Sequence, residues 1–135
     1  MISKFRFFYK QLLLFIIGGG LYYLIEILFR GYSHWTMFII GGVIFLFSGR
    51  PYTSLKGQIL RVWIFAIITE FISGTIINLC LGWQVWDYSK LPFNLLGQIC
   101  LPFALLFLPL CAAAILLNRF IQQHLLREKE KATKT

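Results

Sequence analysis

Charged side chains are scarce in this sequence. They make up 13% of the 135 residues, and aspartate and glutamate together number only five. Hydrophobic residues make up 59% of the chain, and the mean hydropathy is +0.75. A soluble domain of this size has too little interior to hide so much apolar surface. The composition therefore argues against an ordinary soluble domain and predicts a chain embedded in a lipid bilayer.

Familiar catalytic and nucleotide-binding motifs are absent as well. The sequence contains no H-E-x-x-H, G-x-S-x-G, G-x-G-x-x-G or P-loop pattern. Its three cysteines, Cys80, Cys100 and Cys111, lack metal-ligand spacing and lie in apolar stretches, which favours small buried side chains. We therefore predict no cofactor and no metal ion. If transport by this protein is powered by ATP, another chain has to supply the ATPase.

Four apolar segments are candidates to cross the bilayer, whose hydrocarbon core of about 30 Å needs roughly 20 helical residues. They cover residues 12–29, 34–48, 58–81 and 93–117. The predicted fold class is all-α, a polytopic bundle of four transmembrane helices. Residues 1–121 form this domain, and residues 122–135 form a basic cytoplasmic tail. Pro102 and Pro109 fall inside the fourth segment, where each removes a backbone donor and predicts a bend.

Lysine and arginine are divided unequally between the two sides that four spans create. Arg30 and Lys90 fall on one side. The other basic residues fall on the opposite side, at Lys4, Arg6, Lys10, Arg50, Lys56, Arg61, Arg119, Arg127, Lys129, Lys131 and Lys134. Since basic residues collect on the cytoplasmic side, this pattern predicts that both ends are cytoplasmic (N-in, C-in). Residues 82–92 would then be extracytoplasmic, with Trp86 and Tyr88 in an interfacial aromatic belt.

The positive charge has a second implication, for partners. The net charge is +8, but the basic residues flank apolar runs and do not lie on a polar domain, so anionic membrane lipids are favoured over nucleic acid. Four short helices seldom enclose a complete solute path. We therefore expect a homo-oligomer or a partner membrane subunit, with a separate ATPase as a further partner. The predicted location is the plasma membrane of a bacterial cell.

Two carboxyl groups lie inside predicted spans, where an acidic side chain costs about 2.5–3.5 kcal/mol on insertion scales. Glu70 is near the middle of the third span. It is the first of several residues, mostly polar or small, whose helical spacing puts them on one face. That face comprises Glu70, Ser73, Gly74, Ile77 and Asn78. Glu26 lies near the outer end of the first span, where Arg30 one turn later can pair with it. For both carboxyl groups, a polar functional site and a hydrogen bond that fixes helix packing stay open.

Further polar residues are predicted on the same side of the membrane. Asn94, Gly97 and Gln98 form a short stripe on the predicted fourth helix. Together with the two carboxyl groups, these stripes predict a polar pocket that opens to the outside. Its candidate residues are Glu26, Arg30, His34, Glu70, Ser73, Asn78, Trp86, Asp87, Tyr88, Asn94 and Gln98.

One extended motif resembles a known family. It begins with Glu70-x-x-Ser73-Gly74-x-x-x-Asn78 and continues as Trp86-Asp87-Tyr88-Ser89-x-x-Pro92-Phe93-Asn94-x-x-Gly97-Gln98. This pattern, over residues 70–101, resembles the small membrane proteins grouped as CmpB-like, type IV ABC-transporter permeases. The resemblance implies a multi-pass membrane protein with a function in transport.

Three kinds of function remain open from the sequence. The leading hypothesis is a permease-like transport component that uses the outward-facing pocket. A second is a membrane-embedded enzyme acting on lipid or a lipid-linked substrate, with the carboxyl groups, His34 and the asparagine residues of the outer leaflet in acid–base roles. No nucleophile–base pair can be named for it, so whether the chain is an enzyme stays open. A third is a structural or accessory membrane subunit, in which the segment around Asp87 is a folded cap.

Overall fold

A computed structural model describes residues 2–126 of the chain. In this part there are four α-helices, which are α1 (Ile2–Arg30), α2 (Trp35–Ser48), α3 (Leu55–Gly74) and α4 (Leu101–Phe120). A π-helical turn extends α3 over Thr75–Cys80, and another extends α4 over Ile121–Leu126. Two short strands, β1 (Asn94–Leu95) and β2 (Ile99–Cys100), pair antiparallel as a hairpin. The predicted all-α helical class is confirmed.

Three of these helical stretches are long and apolar enough to cross a bilayer. They are Lys4–Arg30, Leu55–Cys80 and Leu101–His124. α2 is apolar as well, but its 14 residues make it shorter. The membrane character of the chain follows from these helices, whereas the cytoplasmic location of both ends stays a prediction. Of the predicted tail at residues 122–135, residues 127–135 lie outside the described part.

The helix bounds differ from the predicted segments, most of all in the fourth. That segment was expected to be helical from residue 93, but α4 begins at Leu101 and the hairpin precedes it. Pro102 is consequently the second residue of α4, where a missing backbone donor costs nothing and the fixed φ suits a helix start. Only Pro109 lies inside the helix. α1 also begins ten residues earlier than predicted, at Ile2 instead of residue 12.

The chain divides into two compact units, of which the first comprises Met1–Pro51 and Ala113–Thr135. Small residues let α1 and α2 approach closely within it. A Cβ built on Gly18 would overlap the side chain of Phe45, and one built on Gly42 would lie 2.7 Å from the ring of Phe15. Close backbone approach at small residues is the usual way in which membrane helices pack. Gly18 and Gly42 therefore set the close packing of α1 against α2.

A buried amide also holds the first unit together. Asn118, on α4, is fully buried, and its Nδ2 donates a 2.7 Å hydrogen bond to the backbone carbonyl of Phe45. This carbonyl belongs to the last turn of α2, where carbonyl groups lack helical partners. Oδ1 of Asn118 accepts a hydrogen bond from Nε2 of Gln122 at 2.5 Å. The two amides therefore close the end of α2.

The second unit, Tyr52–Ala112, contains α3, the hairpin and the first part of α4. Ser54 caps the start of α3 by accepting a 3.0 Å hydrogen bond from the backbone N–H of Gly57. Further along α3, Nε1 of Trp63 donates a 2.7 Å hydrogen bond to the carbonyl of Ala104 on α4. This bond joins two helices in the part of the unit where the candidate site lies.

Candidate functional site

Glu70 lies on the buried face of α3. Its side chain is only 5% exposed, although the surrounding helix is apolar enough to cross a bilayer. The hydroxyl of Tyr88 donates a 3.1 Å hydrogen bond to Oε1 of this carboxyl group. The carboxyl group therefore points into the protein and has a hydrogen-bond partner, as acidic groups inside membrane spans usually do.

Tyr88 is held in this position by an aromatic contact. Its ring stacks on that of Phe103, with centroids 4.9 Å apart and an angle of 14° between the planes. Phe103 is the third residue of α4, so the contact ties the loop at residues 81–93, which contains Tyr88, to the start of that helix. The resulting arrangement of Glu70, Tyr88 and Phe103 joins α3, the loop and α4 within the second unit.

Asn78, in the π-helical turn that follows α3, organises the loop. Its Oδ1 accepts hydrogen bonds from the backbone N–H groups of Val85 and Trp86, at 2.8 and 3.3 Å. Its Nδ2 donates a 2.7 Å hydrogen bond to Oε1 of Gln98. Both atoms of the Asn78 amide are therefore occupied in holding the loop and the hairpin against α3.

Trp86 is buried in the same contact, being 4% exposed. Its Nε1 donates a 3.0 Å hydrogen bond to the backbone carbonyl of Gln98. Gly74 provides the space, because a Cβ at that position would lie 2.8 Å from Cζ2 of Trp86. The position of Trp86 at headgroup level stays a prediction. Its ring does not face lipid but packs into protein, because α3 has no side chain at Gly74.

Asp87 and Asn94 form a polar turn on the exposed side of the loop. Oδ1 of Asp87 accepts a 2.9 Å hydrogen bond from the backbone N–H of Ser89. This bond is the largest of the causes that hold the pKa of the Asp87 carboxyl below its ordinary value of 3.8. Nδ2 of Asn94 donates to the carbonyls of Ser89 and Leu91, at 3.2 and 2.8 Å. The turn is therefore stabilised by its own side chains.

The predicted stripe of Asn94, Gly97 and Gln98 on a fourth helix is wrong. These residues lie on the hairpin before α4, and Gly97 has a φ of +73°. This left-handed conformation is incompatible with a helix interior. Gly97 N–H instead donates a 3.1 Å hydrogen bond to Oδ1 of Asn94. The hairpin, and not helical spacing, therefore brings Gln98 into contact with Asn78.

Ser73 lies on the expected face of α3 but turns back to its own helix. Its hydroxyl donates to the carbonyl of Thr69 at 2.5 Å. Serine commonly makes this bond when it lies inside a membrane helix. The other members of the predicted face, Glu70, Gly74, Ile77 and Asn78, are all buried.

The remaining candidates belong to the first unit. Glu26 and Arg30 form an ion pair, with 2.5 Å between Oε2 and Nε, so the predicted pairing one turn apart is confirmed. The Arg30 guanidinium also lies over the ring of Tyr32, 4.9 Å from its centroid. His34 caps α2, since its Nδ1 accepts a 3.3 Å hydrogen bond from the backbone N–H of Thr36. Each of these groups has a partner within its own unit.

Two contributors to the site were not identified from the sequence. Phe103 supports Tyr88, and the backbone N–H groups of Val85 and Trp86 bind Asn78. An aromatic residue in an apolar run has no sequence signal that would set it apart. Among the residues described, no group of three or more His, Cys, Asp or Glu side chains is arranged to hold a metal ion. The three cysteines are free thiols, and Cys80 is exposed, contrary to the expected burial.

Residues 6–135 match a protein-family model whose description is "Putative ABC-transporter type IV". This match extends far beyond the motif at residues 70–101 and includes most of α1 and all of α2, α3 and α4. The chain belongs to this family. The family resemblance seen in the sequence is thereby confirmed. This member of the type IV family is a membrane protein related to transport. No solved structure matches the chain.

Proposed function

We propose that this protein is a permease-like membrane component of an ABC-type transport system. Its solute-recognition site would be centred on Glu70 and Tyr88 and would open to the extracytoplasmic side. Family membership supports a function in transport. The observation that carries the site is the buried carboxyl group of Glu70, which lies in a membrane-spanning helix with a hydroxyl group 3.1 Å away.

A carboxyl group inside a bilayer is expensive and is usually retained for a function, such as binding a solute or relaying a proton. Tyr88 adds a second polar atom that can both donate and accept a hydrogen bond. Hydrogen bonds that join Asn78 and Trp86 to Gln98 hold the adjoining loop and hairpin in place. Membership of Glu26, Arg30 and His34 in the recognition site stays a prediction.

The energy for transport would come from another chain. The sequence has no P-loop, which is the motif that binds the phosphates of ATP in transport ATPases. We therefore propose a partner ATPase on the cytoplasmic side. Cross-linking in native membranes, followed by mass spectrometry, should recover a P-loop protein with this chain. Recovery of this chain only with copies of itself would contradict the ATPase partner.

The transport proposal can be tested before the solute is known. The gene is deleted in its host, and the distribution of small molecules between cells and medium is compared by untargeted mass spectrometry. Deletion should change the distribution of at least one solute, and the wild-type gene should restore it. Glu70→Gln should fail to restore it, because this change removes the ionisable carboxyl group while keeping an acceptor for Tyr88. Ile68→Val is the matched control, since Ile68 is an exposed residue of the same helix.

Protein amounts in the membrane decide how these results are interpreted. Transport is supported if Glu70→Gln reaches the wild-type amount in the membrane but does not restore the solute. The proposal is wrong if no solute changes on deletion, or if Glu70→Gln restores the distribution as fully as Ile68→Val.

A second candidate is an accessory membrane subunit, and one observation favours it. Asn78, Asp87 and Asn94 are all engaged in hydrogen bonds to the loop or hairpin. A segment whose polar groups are occupied in this way is suited to be a rigid cap for assembly. This candidate predicts that Asp87→Asn and Glu70→Gln reduce the amount of assembled complex and leave no separate defect in solute recognition.

A further inference from the structure

Distance along the helix formed by Leu55–Cys80 measures depth in the membrane for the residues that contact it. The spanning stretch Leu55–Cys80 has 26 residues, which correspond to about 39 Å at 1.5 Å per residue. This length exceeds the hydrocarbon core of about 30 Å by roughly 9 Å. Residues of this stretch between about 9 and 30 Å from Cys80 therefore lie inside the hydrocarbon core, at whichever end the excess protrudes.

Successive contacts of the loop and hairpin with this helix lie at increasing distance from Cys80. Val85 binds Asn78, close to the Cys80 end. Gln98 lies beside Gly74, where its Oε1 would be 2.7 Å from an added Cβ. Gly74 is about 9 Å from the helix end at 1.5 Å per residue, which puts Gln98 at the edge of the hydrocarbon core.

The deepest contacts involve the start of α4. Glu70, which binds Tyr88, is about 15 Å from the Cys80 end. Trp63, which binds the carbonyl of Ala104, is about 25 Å from it. Even allowing for the length of the Trp63 side chain, Ala104 lies well inside the core. α4 therefore begins within the bilayer, and the chain reaches that depth before it becomes helical.

Phe93 lies next to this starting point. The backbone N–H of Leu101, three residues before Ala104, donates a 3.3 Å hydrogen bond to the Phe93 carbonyl. The Phe93 side chain is 81% exposed on the protein surface, and Leu96 is 63% exposed. Both residues have a left-handed backbone, each with a φ of 54°, which is a costly conformation for a large side chain. The hairpin thus holds two apolar side chains outward at considerable backbone cost.

This exposed surface continues that of the spanning helices. Leu101 and Leu105 on α4, and Ile68 and Ile72 on α3, also expose apolar side chains. These helices are long and apolar enough to cross a bilayer, so such side chains face lipid. The hairpin runs directly into α4, and its apolar residues extend the same lipid-facing surface.

Backbone hydrogen bonding within the segment fits this environment. Non-helical backbone at membrane depth requires protein partners, because no water is present to satisfy it. The N–H of Tyr88 donates to the Gly97 carbonyl at 2.7 Å, and the N–H of Gln98 donates to the Leu95 carbonyl at 3.0 Å. Nε2 of Gln98 donates to the Leu96 carbonyl at 2.9 Å. The hairpin therefore satisfies much of its own backbone.

We infer that residues 81–100 form a re-entrant segment, which enters the bilayer alongside α3 and turns into α4 inside it. Phe93 contacts lipid acyl chains at the deepest point, and Leu96 contacts them closer to the surface. The polar turn at Asp87 stays at headgroup level. This inference does not depend on the transport proposal, because it concerns the position of the segment and not its cargo.

Spin labelling in vesicles of phosphatidylcholine and phosphatidylglycerol tests the position directly. Single cysteines are introduced at Phe93, Leu96 and Lys90 in a chain whose native cysteines are replaced by alanine. Accessibility to oxygen, relative to a water-soluble nickel complex, should be highest at Phe93, lower at Leu96 and lowest at Lys90. A label at Leu105 on α4 provides the lipid-facing reference.

Two outcomes would overturn the inference. In the first, the Phe93 label is as accessible to nickel as the Lys90 label, which would place the hairpin in water. In the second, labels at Phe93 in different copies broaden each other's spectra, and dilution with unlabelled protein removes the broadening. A second copy of the chain would then cover the hairpin in place of lipid.

A second test uses the wild-type chain, so its result does not depend on whether the cysteine variants fold. Vesicles are made with lipids that carry a photoreactive diazirine on the acyl chain, and adducts are located by mass spectrometry. Adducts on residues 93–96 and on the Leu105 region support the inference. Adducts on the Leu105 region without any on residues 93–96 would overturn it.

Discussion

Trp86 occupies the space that Gly74 leaves open on α3. A Cβ built on Gly74 would lie 2.8 Å from Cζ2 of the Trp86 ring and 2.7 Å from Oε1 of Gln98. The loop is therefore seated on the helix at a position where no side chain larger than hydrogen fits without movement. This contact fixes the register between the loop and α3.

Gly74→Ala should destabilise the protein by about 1–3 kcal/mol, because the buried indole has to move. Gly20→Ala is the matched control, since a Cβ there would meet only Cε2 of Phe38, at 3.9 Å. Alanine favours a helix over glycine by up to about 1 kcal/mol, so the control should be neutral or more stable. Unfolding in detergent, followed by tryptophan fluorescence, measures both variants. Equal effects of the two substitutions would contradict the seating of Trp86.

Tyr88→Phe should remove the hydrogen bond to Glu70 and keep the stacking on Phe103. The expected loss is about 1–2 kcal/mol of the free energy of unfolding, since a buried carboxyl group loses its hydroxyl partner. Tyr9→Phe is the control, because Tyr9 is exposed on α1. Thermal unfolding in detergent compares the two variants. Identical melting temperatures for Tyr88→Phe and Tyr9→Phe would show that the bond to Glu70 contributes nothing.

Asn118→Leu should destabilise the first unit by about 1–3 kcal/mol. The substitution keeps the side chain's approximate size but leaves the buried Phe45 carbonyl without its donor. Gln123→Ala on the same segment is the control, since Gln123 is exposed. Chemical unfolding of the two variants gives the difference. The amide closure of α2 would be refuted if Asn118→Leu were as stable as the wild type.

Asp87 should make stability depend on pH in the acid range. Its pKa in the folded protein lies below the ordinary value of 3.8, so folding favours the ionised form. Its contribution is complete at neutral pH and is lost as the pH falls below about 4 toward the lowered pKa. Asp87→Asn keeps an acceptor for Ser89 but does not titrate. The stability difference between wild type and Asp87→Asn should shrink between about pH 7 and pH 3, and a constant difference would contradict the shift.

The orientation of the chain can be measured by labelling with a membrane-impermeant maleimide. With the native cysteines removed, a cysteine at Lys90 should react in intact cells. Cysteines at Lys56 and Thr135 should react only after the membrane is permeabilised, because basic residues favour the cytoplasmic side. Reaction of Lys90→Cys and Thr135→Cys from the same side would show that the predicted threading is wrong.

The buried face of α3 was predictable because helical spacing decides it. Glu70, Gly74, Ile77 and Asn78 recur at intervals that put them on one side of a helix, and all four are buried. Glu26 and Arg30 were predictable for the same reason, since their ion pair spans one turn. Local periodicity was sufficient for both findings.

The beginning of α4 was not predictable from hydropathy. Residues 93–101 are apolar throughout much of their length, and hydropathy does not distinguish a hairpin from a helix at such positions. The signals present were Gly97, which has a left-handed φ, and Pro102, which suits the first turn of a helix. Contacts such as Tyr88 with Glu70 join residues far apart in the sequence. They depend on how the loop folds, which no periodic pattern encodes.

The π-helical turn at Thr75–Cys80 lets the chain before Gly82 absorb a change in length. A wide turn of this kind holds about one residue more than an α-helical turn would. Losing one residue there would return the stretch to α-helical winding and leave the residues beyond it on nearly the same side of the helix. A residue lost between Trp63 and Glu70 would instead rotate Glu70 and everything after it by about 100° relative to Trp63. The turn is therefore where this helix can change its length at the least cost to its contacts.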